Sequence, residues 1–219
     1  MRYIYIVLSA TKTMPARLVR RFTGFKYSHT SVSMRADLLG MCSFSRTNIG
    51  NPFVGGFVLE SPRTLTLGKN NTSVPVKIFK VPVSETGFAA AESFINSVRF
   101  DRDGYMYNII TFITAPFGRT GYIYKSFICT TFALELLKNA GALPDIPLQT
   151  GRPITPKDIN SLLAPYAVFE GEISEYTPAE GKEIPIDEYF VRRGIYSETK
   201  RTARYVHRLI KRRIFTRGQ

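Results

Sequence analysis

The chain has 219 residues, 44% of them hydrophobic and 21% charged, the balance of an ordinary globular protein with room for one good core and an appendage. No block is low in complexity and no segment repeats, so composition points away from a disordered chain or a repeat array. The net charge of +13 is uneven: residues 190–219 hold ten Lys or Arg against one acid, whereas the first 189 residues hold twenty basic and sixteen acidic side chains.

Residues 2–8 form a short apolar run rich in tyrosine and β-branched residues. It lacks a small-residue cleavage site and reads as a buried first strand rather than a signal peptide. Residues 15–22 read as a short helix with Pro15 in its first turn. Residues 27–34 alternate strictly, with His29, Ser31 and Ser33 on one face and Thr30, Val32 and Met34 on the other. Residues 39–45 and 53–60 are further strands, the last continued by residues 65–67 beyond Pro62. Gly68-Lys69-Asn70-Asn71 signals a turn. Residues 74–81 are a strand, and Ser84 caps a helix carrying Phe88, Ala91, Phe94, Ile95 and Val98. Residues 105–113 predict a strongly apolar helix, and the apolar run here is too short to span a bilayer. Residues 126–139 form the clearest helix, with Phe132, Leu136 and Ala140 inward and Gly141 at its end. Thr155 and Pro156 open another helix, and residues 167–170 close the pattern as a strand. The order predicts an α+β fold, an antiparallel sheet packed against helices, over residues 1–175. A basic, partly helical extension follows over residues 176–219.

The chemistry-bearing residues are few. Two cysteines, Cys42 and Cys129, make no disulfide framework, and no Cys/His cluster has zinc spacing, so no metal or cofactor is implied. A reducing, cytoplasmic setting is the simpler expectation. Cys129 stands where the 126–139 helix begins. A helix start offers free amides and the positive dipole end, which favour a thiolate and can hold an oxyanion. The alternative is a small buried core residue. Of the two histidines, His207 lies in the basic tail and reads as a surface residue. His29 lies on the alternating strand, which fixes a side chain as a base must be fixed. The alternative for His29 is a polar residue on a half-exposed strand.

Tyr27-Ser28-His29-Thr30-Ser31-Val32-Ser33 resembles the histidine strand of the NlpC-type papain-like superfamily. Phe127-Ile128-Cys129-Thr130-Thr131-Phe132-Ala133 resembles its cysteine helix. Histidine before cysteine is the order of the circularly permuted branch, which includes YiiX-like and lecithin:retinol acyltransferase-like proteins. Residues 55–60, Tyr105-x-Tyr107-Asn108, Ile154-Thr155-Pro156-Lys157-Asp158-Ile159 and residues 168–171 add to the similarity. Ile128 departs from the usual Asp before the cysteine, which weakens any transfer of peptidoglycan specificity. The resemblance implies a permuted papain-like fold and a cysteine hydrolase or acyltransferase, with Cys129 as nucleophile and His29 as base. The substrate would be an amide, ester or thioester of lipid or peptide type.

The strand after the histidine strand, Met41-Cys42-Ser43-Phe44-Ser45, has no carboxylate to orient His29. Glu60 is therefore the first choice and Ser43 the second, against a solvated strand end for Glu60. Cys42 reads as core. Tyr122 and Tyr124 either line the pocket or pack under its loop. The tail, with Ile195, Thr202, Val206, Leu209 and Ile210 on one side, suits an anionic membrane surface or packing on its own domain, and nucleic acid less well. The competing function is a non-catalytic papain-like binding protein that uses this tail.

Overall fold

The computed structural model describes residues 1–47, 51, 54–66, 73–101, 104–121, 123–143, 152–176 and 195–217. Six strands form one antiparallel sheet in the order β4-β3-β2-β1-β5-β8. They are β1 (Arg2–Ser9), β2 (His29–Ser33), β3 (Met41–Arg46), β4 (Gly55–Glu60), β5 (Pro75–Val83) and β8 (Ala167–Glu172). β1 is central: it pairs with β2 through Ser9–His29 to Tyr5–Ser33, and with β5 along its whole length. A two-residue ribbon stands apart, β6 (Met106–Tyr107) parallel to β7 (Ser126–Phe127).

Helices α3 (Glu85–Phe100) and α5 (Cys129–Asn139) pack on the sheet, and α1 (Met14–Thr23) and α6 (Pro156–Leu162) accompany them, with shorter turns α2 (Pro62–Leu65), α4 (Ile109–Thr114) and α7 (Ile173–Tyr176). Capping explains most of the starts. Thr13, Ser84 and Thr155 accept from the amides of Ala16, Gly87 and Asp158, each satisfying a donor the helix leaves open. α5 is held by its inner stripe. Phe132 and Leu136 are fully buried, and Phe132 meets the rings of Phe44, Phe57, Phe94 and Phe127. Phe132→Ala would empty this junction at a cost of about 3–5 kcal/mol.

The structure redraws several elements. The strand expected to run on through residues 65–67 ends at Glu60, because Ser61 and Thr64 form a reciprocal cap that starts α2; Leu67 and the turn at residues 68–71 lie outside the described residues. The helix expected over residues 105–113 is β6 followed by α4, because Asn108 accepts from the Thr111 amide and stops the ribbon there. The helix expected from Ser126 begins at Cys129, its first two residues being spent on β7. In the tail helix α8 (Ile195–Arg217) the apolar stripe is split between core and solvent. Tyr205 and Leu209 join the core while Val206 and Ile210 stay exposed, because Tyr205 donates to the Tyr107 carbonyl and Asn51 donates to Glu198 and Thr202. Among the described residues no helix is long and apolar enough to cross a membrane.

Candidate active site

The site is assembled from strand ends and one helix start. His29 is the first residue of β2 and Glu60 the last of β4. β2 and β3 pair only at Val32–Cys42, whereas β3 and β4 run side by side from Met41–Glu60 to Arg46–Gly55. Across β3, the Glu60 carboxylate reaches His29 and Ser31 on β2. His29 Nε2 lies 2.9 Å from Glu60 Oε1 and 3.2 Å from Oε2, and Ser31 Oγ donates to Oε2 at 2.6 Å. The two side chains are only 13% and 11% exposed.

With Nε2 taken by Glu60, Nδ1 is the ring nitrogen left for Cys129, whose side chain acts on the imidazole both as hydrogen-bond partner and as charge. Burial pulls the ring toward neutrality. The Glu60 carboxylate and the contacts with Cys129 outweigh it and raise His29 to about 10. Burial likewise opposes charge on Glu60, yet the facing His29 and the Ser31 hydroxyl hold its carboxyl below the ordinary 4.5. Ser43 also favours the charged carboxylate, although its fully buried Oγ completes no hydrogen bond of ordinary geometry. Of the two orienting candidates, Glu60 is thus the one bonded to the ring.

Cys129 opens α5 without a capping side chain, since Ile128 at the cap position has none to offer. Thr131 Oγ1 accepts from the Ile128 amide, which fixes the turn but leaves the first α5 amides free. Thr130 Oγ1 donates to the Ile154 carbonyl at 2.8 Å and ties the helix start to the segment before α6. Cys42, by contrast, is a core residue on β3.

Sequence reasoning passed over one side chain. β6 pairs with β7 through Tyr107–Phe127, two residues before Cys129, so the ribbon sets Tyr107 beside the thiol. Burial first, then the charge at Cys129, push the Tyr107 hydroxyl up, so it remains a proton donor. A two-residue strand leaves almost no periodic signal, which is why the pairing was invisible. Tyr124 is exposed and stands off the site, and Tyr122 lies outside the described residues.

His29, Glu60, Cys129 and Tyr107 all line one cavity of about 500 Å³. Its walls are mostly apolar, with Leu18, Val19 and Phe22 from α1 facing Val58, Leu59 and Ile154. That volume suits a small molecule or the reacting end of a longer one. Compared with protein-family models, curated proteins and solved structures, the chain matches none.

Proposed function

We propose that this protein is a cysteine-dependent hydrolase or acyltransferase with a circularly permuted papain-like fold. The observation that carries the proposal is His29 bonded to the Glu60 carboxylate on one side and in contact with Cys129 on the other, with Cys129 at an uncapped helix start on the wall of one cavity. The imidazolium form of His29 donates to acceptors on both sides, a carboxylate and a thiolate, which is the resting state a thiol nucleophile needs.

The Cys129 sulfur attacks the carbonyl carbon of an ester, thioester or amide. The C–S bond forms as the carbonyl π pair moves to oxygen. The free Cys129 amide and the Tyr107 hydroxyl hold that oxyanion. Collapse breaks the bond to the leaving group, which takes its proton from His29 and departs. Water or a second acyl acceptor then gives a proton to His29, attacks the acyl-enzyme and frees the cysteine. Glu60 keeps the ring oriented and supports its charge throughout. A reducing, cytoplasmic setting is part of this proposal, supported by two cysteines that form no disulfide framework.

The test is the pH dependence of alkylation by iodoacetamide. Fast labelling at Cys129 well below about pH 8, slowed in His29→Ala, is expected of an activated thiolate. Cys129→Ser supplies the blank, since Cys42 is buried. Labelling no faster than a free thiol, and indifferent to His29, overturns the proposal in favour of a non-catalytic binding protein.

A further inference from the structure

Two segments that edge the cavity carry no acid. Residues 1–36 hold seven Lys or Arg and no Asp or Glu, and residues 104–134 hold Arg119 and Lys125 and again no acid. The first segment contributes α1, and the second contributes α4 with the 3₁₀ turn Ala115–Phe117. Leu18 and Phe22, one turn apart on α1, line the cavity yet remain 42% and 49% exposed. Phe112, Ala115 and Pro116 line it from the other segment, while their neighbours Ile113 and Phe117 are 56% and 77% exposed. Large apolar side chains left in water around a cavity mouth mark a surface meant to be covered.

Charge says by what. Arg17, Arg21 and Arg119 are exposed in these same segments, and no carboxylate pairs with them among the described residues. The acids that line the cavity, Glu60 and Asp158, are already engaged with His29 and Arg152. We propose that α1 and the α4–3₁₀ segment form a docking face that seats the cavity mouth on an anionic lipid surface. Leu18, Phe22, Ile113 and Phe117 enter the acyl boundary, and the arginines meet the headgroups. Docking in this sense stands apart from turnover at Cys129. The tail helix is the competing surface, but part of its basic charge is spent within the molecule. Arg201 pairs with Glu198, and Arg212 donates to the Tyr124 and Lys125 carbonyls.

The sequence has no tryptophan, so a single one reports its own surroundings. In the full chain, Phe117→Trp is mixed with vesicles of equal parts phosphatidylcholine and phosphatidylserine, and separately with phosphatidylcholine alone. A blue-shifted emission with the anionic vesicles only, quenched by brominated acyl chains, is expected. Val206→Trp on α8 reads the competing surface and stays unshifted. Adding Arg17→Glu and Arg21→Glu to the Phe117→Trp chain lowers the vesicle partition coefficient about tenfold or more. Arg204→Glu with Lys211→Glu leaves it unchanged. A shift at Val206→Trp but not at Phe117→Trp, equal binding to both vesicle types, or no binding overturns the inference. None of these readings depends on the reactivity of Cys129.

Discussion

Cys42 is the second residue of β3, flanked in register by Val32 and Leu59 and 2% exposed, whereas Cys129 begins a helix at the wall of a cavity. The surroundings act on the two thiols differently. Burial and the nearby Glu60 carboxylate push the Cys42 thiol up and keep it protonated. Cys129 meets free backbone amides and a charged imidazole instead. The same carboxylate thus opposes a thiolate at Cys42 and, at the other site, is bonded to the imidazole that Cys129 touches. A side chain's chemistry follows from where its element ends as much as from what it is.

The largest effect that sharpens this contrast is at the sulfur itself. Cys129→Ser should lower turnover of a chromogenic acyl ester by about a thousandfold or more. Cys42→Ser should leave the rate per folded molecule intact and lower stability by about 1–3 kcal/mol, because it buries a hydroxyl among apolar neighbours. Steady-state rates with urea unfolding of both variants check the pair. Comparable activity loss in folded Cys42→Ser would break the distinction.

Next in size is Glu60→Gln, which keeps a hydrogen-bonding group at His29 and removes the charge. Turnover should fall roughly a hundredfold. The pKa of His29, held at about 10 in part by that charge, should drop, so the alkaline limb of the pH–rate profile moves to lower pH. An alkaline limb that does not move would separate Glu60 from the imidazole. Tyr107→Phe should cost about tenfold or more in turnover with little change in KM, as expected for a donor used only by the oxyanion.

The ion pair also shapes stability. His29 is raised above its ordinary 6.5, so its contribution is complete below that pH and is lost as pH rises through about 10. Glu60 is lowered, so its contribution is present above the ordinary 4.5 and is lost as pH falls through the folded value. Both are fully present only between about 4.5 and 6.5. Thermal melts against pH should show the wild type's advantage over His29→Gln to be greatest in that window. A constant advantage up to pH 11 would contradict the raised value.

Much of this was legible in the chain. Strict alternation gave β2 and placed His29, Ser31 and Ser33 on one face, and capping residues gave α3 and α6 their starts. Glu60 stood out as an acid ending an apolar strand. What was not legible came from long-range geometry. The order β4-β3-β2, which brings Glu60 within reach of His29 across an intervening strand, has no local signature. The β6–β7 ribbon is too short to show a period, so both flanking helices were drawn too long. The place of Tyr205 in the core was not legible either, because its hydroxyl partner is a carbonyl 98 residues away.

That hydrogen bond gives the smallest and most local of these effects. Tyr205 donates to the backbone carbonyl of Tyr107, the residue whose hydroxyl is proposed to hold the oxyanion. Tyr205→Phe keeps the ring in the core and leaves that carbonyl without its donor, at a cost of about 1 kcal/mol in stability. If α8 only covers the core, turnover is unchanged once the protein is folded. If it holds the ribbon in place, turnover falls a few-fold through kcat, and the loss disappears in a Tyr107→Phe background, where there is no hydroxyl left to position. A double-mutant cycle on kcat measures that coupling directly.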